Sequence, residues 1–210
     1  MTYLAKYTYS DSGHDTLLDR RQSRRGTLVL RVGILEGAAF KSFCLVRNIS
    51  AEGVQVRVYG SLPLGIPLAL RVGDHDSIPA RVVWARSGLA GLSFYKALAP
   101  QTLMRVAGRT DPERRRQSPR IEVKVRALLR TGGQTIVCDV RDVSTTGAKI
   151  VTAQALTYTG PAVLTVRDMP PRECFLRWID GCEVGLSFVT PLPIKTISEW
   201  LKQGARGSVI

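Results

Sequence analysis

The sequence predicts a mainly β protein, built as two tandem antiparallel barrels or closed sandwiches, each followed by a short helix. The strongest support is an internal repeat: Asn48 and Asp142, Gly53 and Gly147, and Trp84 and Trp178 each lie 94 residues apart. The quartets Gly91-Leu92-Ser93-Phe94 and Gly185-Leu186-Ser187-Phe188 keep the same interval. That period is too long for a solenoid, and 210 residues suit two small domains. Apolar and polar residues also alternate over short runs, as half-buried strands require. Gly, Pro and Asp interrupt these runs roughly every eight to twelve residues, the punctuation of an all-β chain.

In chain order, residues 1–16 have no counterpart in the repeat and read as an extension, followed by a first domain over 17–107. Leu28, Leu30, Val32 and Ile34 alternate and mark the expected core face of its first strand. Val54, Val56 and Val58, then Ile78, Ala80, Val82 and Trp84, continue the pattern, which places both repeated tryptophans in the core. Each Gly-Leu-Ser-Phe quartet is expected to be the last strand of its unit. Pro100 to Val106 reads as a short helix, and 108–115 as a basic linker broken by Gly108, Asp111 and Pro112. The second domain, 116–203, opens with the alternating run Ile121 to Ala127. Ile194, Ile197 and Leu201 follow helical spacing with Trp200 beside them, and Gly204 ends that helix ahead of a tail over 204–210.

Thirty Lys and Arg against seventeen Asp and Glu give a net charge of +13, which calls for an anionic partner. No apolar stretch is long enough to span a membrane and no signal-peptide core is present, so the expected location is the cytoplasm, without membrane insertion. Cys44 and Cys138 occupy equivalent apolar runs and read as buried small side chains. The two histidines stand alone and no C-x-x-C pair occurs, so no metal or other cofactor is expected. There is likewise no phosphate loop, nucleophile elbow or repeated carboxylate pair, and the sequence does not read as an enzyme.

Two elements carry chemistry, and both occur twice in the same order. Arg20-Arg21-Gln22-Ser23 and Arg115-Arg116-Gln117-Ser118 each add a further arginine, Arg25 and Arg120. Some residues later come Asn48-x-Ser50-x-x-Gly53 and Asp142-x-Ser144-x-x-Gly147. Arg21 and Arg116 are 95 residues apart, so one residue has been lost between arginines and turn in the second copy. A guanidinium fork can pair with guanine O6 and N7 or grip phosphate oxygens. Asp142 can accept from guanine N–H groups, Ser144 can donate to oxygen, and Gly147 allows a backbone that larger residues resist. Alone, an arginine run is most often a solvated linker, and Asn/Asp-x-Ser-x-x-Gly an ordinary turn. Their joint recurrence at nearly equal spacing favours a site for a guanine-bearing phosphodiester.

The Arg-x-x-x-Arg and (Asp/Asn)-x-Ser-x-x-Gly combination resembles the PilZ domain, over about residues 17–107 and 111–203. The resemblance implies two six-stranded antiparallel barrels and a bacterial receptor for the second messenger cyclic di-GMP. Arg21, Arg25, Asn48, Ser50 and Gly53 match its binding residues in copy one; Arg116, Arg120, Asp142, Ser144 and Gly147 match in copy two. In such domains the arginines wrap over the ligand, the turn contacts a guanine, and an additional arginine accompanies a stacked ligand dimer. Arg20 and Arg115 stand at that place, implying two ligands per site. Because the second arginine motif sits in the linker, ligand there is expected to rearrange the domains and act on a downstream protein partner.

Site two ranks above site one, since Asn48 lacks the charge of Asp142 and Arg24 replaces the stiffer Pro119. A ligand-free adaptor and a basic barrel for single-stranded nucleic acid are the alternatives. Nucleic acid is disfavoured, because aromatics make up only 7% of the chain and stacking platforms are what such binders need. Barrel edges and the terminal helix each offer a surface for a homodimer.

Overall fold

The computed structural model describes residues 27–73, 77–108 and 118–204. The first barrel contains β1 (Thr27–Gly37), β2 (Phe40–Ile49), β3 (Gly53–Arg57), β4 (Pro67–Val72), β5 (Ile78–Arg86) and β6 (Leu89–Phe94), then α1 (Pro100–Val106). The second contains β7 (Ile121–Thr131), β8 (Gln134–Val143), β9 (Gly147–Thr152), β10 (Pro161–Val166), β11 (Arg172–Asp180) and β12 (Glu183–Phe188), then α2 (Ile194–Gly204). Both are closed six-stranded antiparallel barrels with one strand order: β1-β2-β3-β6-β5-β4, and its repeat around the second. Closure removes the free edges that an open sheet would leave to aggregate. The Gly-Leu-Ser-Phe quartets end β6 and β12, and both helices occupy their expected positions.

Each barrel interior is filled by the inward residues of its strands. Val46, Val56, Leu70, Val72 and Ala80 are fully enclosed in the first, Leu129, Ile150 and Val184 in the second. Cys44, Cys138 and Cys174 lie among them as free thiols. Burial pushes the Cys44 thiol up to about 12, and the Cys138 and Cys174 thiols up to about 11. All three therefore stay protonated and behave as small apolar side chains.

Two sequence expectations fail, and each for a traceable reason. Leu28, Leu30, Val32 and Ile34 face outward, with Leu28 and Leu30 68% and 67% exposed, whereas Val29 and Leu35 fill the barrel. Alternation identifies two faces but not which one the barrel encloses. Ile34 is nevertheless buried, because with Phe43 it joins the core cluster of the second barrel, and Val32 packs against that cluster. Trp84 and Trp178 are not core residues either; Trp178 is 40% exposed. A β-bulge between Val82 and Trp84, repeated between Leu176 and Trp178, shifts the pleat and swings the indole outside.

The barrels meet where α2 packs against β2. Ser198 Oγ donates to the Phe43 carbonyl at 3.4 Å, and Lys202 Nζ donates to the Tyr59 carbonyl. Trp200 Nε1 bonds the Arg167 carbonyl at 3.0 Å, which ties α2 to its own barrel. From β4, Arg71 Nη2 donates to the Arg120 carbonyl at 3.0 Å, so barrel one also holds the strand entry of barrel two. Among the described residues no helix is long and apolar enough to cross a membrane.

Candidate functional site

Equivalent bulges shape the site in both barrels. Pairing slips between Leu28 and Arg31 in β1 and between Glu122 and Val125 in β7, at positions 94 residues apart. The residue missing from copy two must therefore fall before the strand begins, between Arg25 and Leu28 in copy-one numbering. A second bulge, between Val46 and Asn48 and between Val140 and Asp142, puts Arg47 and Arg141 out of register immediately beside the turn residues.

The serine-glycine turns are held internally. Ser144 N–H and Oγ both bond the Gly147 carbonyl, at 2.8 and 3.2 Å, and Ser50 does the same with Gly53 at 2.9 and 3.2 Å. Gly53 and Gly147 are required by close approach, not by an unusual backbone. A β-carbon on either would overlap the carbonyl of Leu92 or Leu186 on the neighbouring strand.

Asp142 lies beside this turn and forms an ion pair with Arg120, Nη1 to Oδ1, at 2.8 Å, both side chains being half-buried. The structure thus brings together Arg120, Asp142, Ser144 and Gly147. Across the strands Asp142 pairs with Lys149, which itself bonds Glu183 at 3.1 Å. Glu122, Lys124, Arg141, Asp142, Lys149 and Glu183 line an open cleft of about 500 Å³. In copy one Asn48 instead bonds the Gln55 side chain at 2.9 Å. The cleft there is about 250 Å³ and contains Ser50, Gly53, Trp84 and Gly91. Charged partners in one copy are thus replaced by an amide pair in the other. Arg20, Arg21, Arg25, Arg115 and Arg116 lie outside the described residues.

Sequence reasoning missed several contributors. The indole of Trp84 covers Gly91, and that of Trp178 covers Gly185. Two identical Trp-to-Gly spacings were the available signal, but the bulge that sets their face has none. Arg86 sits over Trp84 with its guanidinium carbon 5.5 Å from the ring centre. Ser118, the serine of the second Arg-Arg-Gln-Ser motif, is buried with its hydroxyl 2.7 Å from that of Thr145. The contact anchors the end of the arginine motif directly to the turn. Ala51 stands at the Thr145 position in copy one, so that copy lacks the partner hydroxyl.

The PilZ domain family matches residues 19–107 and again 114–203. No curated protein matches the chain. Among solved structures, Borreliella burgdorferi PlzA in complex with c-di-GMP is similar at 13% identity, with 80% of this chain and 85% of that one covered and a TM-score of 0.36. Bacillus subtilis MotI/DgrA, an inhibitor of motility, shares 12% identity over 88% of this chain and all of that one, with a TM-score of 0.38. Escherichia coli YcgR in complex with c-di-GMP shares 10% identity over 84% and 82% of the two chains, with a TM-score of 0.33. With both barrels matched by the family, the chain belongs to the PilZ domain family and carries that domain twice.

Proposed function

We propose that the chain is a bacterial receptor for cyclic di-GMP, acting in the cytoplasm and without enzymatic activity. The observation that carries the reading is the Arg120–Asp142 pair beside the turn, in a protein of this family. The guanidinium and the carboxylate satisfy each other without ligand. A guanine offers the carboxylate its ring N–H and amino group, and offers the guanidinium O6 and N7, so each partner is exchanged for one of equal chemistry. Arg116 and Arg115 add charge for the two phosphates and for a second stacked ligand. Asp142 reads the base, while Ser144 and Gly147 hold the turn that presents it. Arg20, Arg21, Arg25, Asn48, Ser50 and Gly53 form the weaker first site.

The domains divide at 17–107 and 116–203, with the stronger arginine motif at the junction of the linker and the second domain. Arg71 favours a rearrangement on binding, because barrel one grips the Arg120 backbone while the ligand draws on its side chain. That movement transmits the signal to a downstream protein. A ligand-free adaptor is the rival reading. Isothermal titration with cyclic di-GMP, GMP and a short single-stranded DNA separates the cases. Selective saturable heat with the dinucleotide is expected, with a stoichiometry that counts sites and stacked ligands. Salt-sensitive binding to DNA alone, or silence with all three, overturns the proposal. Small-angle scattering with and without ligand tests the movement, and unchanged dimensions on saturation would remove it.

A further inference from the structure

The contact between the barrels uses only half of what the repeat provides. Barrel one contributes the cross-strand pair Ile34–Phe43, both fully buried. Barrel two contributes α2, where Ser198 bonds the Phe43 carbonyl. Each half has a counterpart 94 residues away. The counterpart of Ile34–Phe43 is Leu128–Val137, also a direct cross-strand pair, but 44% and 54% exposed. The counterpart of Ser198 is Met104 on α1, 47% exposed.

Both helices lie on equivalent parts of their barrels. Arg31 Nη1 bonds the carbonyls of Arg105 and Val106 at the end of α1, at 3.1 and 3.3 Å. Its counterpart Val125 lines, with Trp200 and Leu201, the cleft between the barrels. In that cleft the strand start Ile121–Val125 faces the hairpin Glu36–Lys41. The corresponding strand start on barrel one exposes Leu28 and Leu30. Among the described residues, one chain therefore displays an uncovered helix-and-strand face on barrel one and an uncovered receiving face on barrel two. Isolated exposed apolar residues need no explanation, but two patches matching the two sides of an existing interface do.

We propose that the chain associates head to tail. The β7–β8 face of one copy, centred on Leu128 and Val137, receives α1 and the start of β1 from a second copy. The contact repeats between chains the one that joins the barrels within a chain. A second copy is the occupant because both halves are written into this sequence. Arg126 and Arg130, which replace Val32 and Glu36, come opposite Leu28 and Leu30, over which their aliphatic stems can lie, while Arg31 in the same strand start brings like charge to the contact. At long range the +13 charge of each chain opposes association, so added salt strengthens it. Such an interface is heterologous, with different surfaces on the two partners.

Sedimentation velocity on the full chain at high salt tests this without any ligand. The wild type is expected to shift with concentration from 23.1 kDa to at least twice that mass. Val137→Asp and Met104→Asp, both at exposed positions, each abolish the shift while leaving the unfolding midpoint unchanged. Mixed together, the two variants form a two-chain complex and stop there, since Val137→Asp retains the helix face and Met104→Asp the receiving face. A wild type that stays monomeric at every concentration overturns the proposal. So does loss of association in the single variants with no complex on mixing, which would mark a self-complementary interface.

Discussion

The indole of Trp178 rests on Gly185 so closely that a β-carbon on the glycine would overlap Nε1, and Trp84 and Gly91 repeat the arrangement. The glycine of each Gly-Leu-Ser-Phe quartet is thus a seat for an aromatic ring on the outside of the barrel. Gly185→Ala should lift the indole and cost about 1–3 kcal/mol, the usual range for overpacking. Urea denaturation reads the loss, and a red-shifted tryptophan emission reads the displacement. A variant with parental stability and spectrum would show that the ring does not depend on the glycine.

Ser118 and Thr145 bury a hydroxyl pair that fixes the arginine motif to the turn. Ser118→Ala leaves the Thr145 hydroxyl enclosed without that partner and is expected to cost about 1–3 kcal/mol. Ser118→Ala with Thr145→Val removes both hydroxyls, leaves only the Thr145 N–H without its Ser118 acceptor, and should cost less than the single change. Equilibrium unfolding of the three proteins decides it. A double variant as unstable as the sum of the singles contradicts the pairing.

Arg120→Ala is expected to weaken cyclic di-GMP binding by about 2 kcal/mol, roughly thirtyfold. Arg71→Met, which removes the bond to the Arg120 carbonyl, should weaken it about tenfold by freeing the backbone that carries the guanidinium. In an Arg120→Ala background the Arg71 change should add nothing, because no side chain remains to be positioned. Titration of the four proteins closes this cycle, and additive losses would mean that Arg71 acts elsewhere.

Three thiols are shielded and one is not: Cys44, Cys138 and Cys174 are buried, Cys182 exposed. A native protein should react with a thiol reagent quickly at Cys182 and slowly at the others, and at all of them once unfolded. The buried thiols hold their protons more tightly folded than unfolded. Their contribution is complete below the ordinary value of 9.0 and is lost as pH rises through about 11 to 12. Stability measured across that alkaline window should fall, and replacing Cys44 with Ala should flatten part of the fall.

Much of the fold was legible because it depends on period and spacing. The repeat, the last strands and both helices follow from residue positions alone. The side of the sheet was not legible at β1, where Leu28 to Ile34 alternate as cleanly as a core strand but face away from the barrel. Closure, not hydrophobicity, decides which face is inside. The tryptophans were misplaced for a related reason, since a bulge inverts the pleat without altering composition. At the site, the charged and turn residues announced themselves by chemistry. Ser118, Arg71 and Lys149 did not, because their roles depend on partners from distant strands.

The core cluster of barrel two includes Ile34 and Phe43 from barrel one. Duplicated modules usually diverge as independent units, each tolerating change according to its own interior. Here a substitution at Phe43 is felt by α2, some 155 residues away along the chain. Compensating changes should therefore arise in the other module, so that in tandem relatives sharing this interface positions 34 and 43 would covary with 197 and 198. The dependence runs one way: barrel one fills its own interior, whereas barrel two, excised alone, would lose Ile34 and Phe43 from the core it has here.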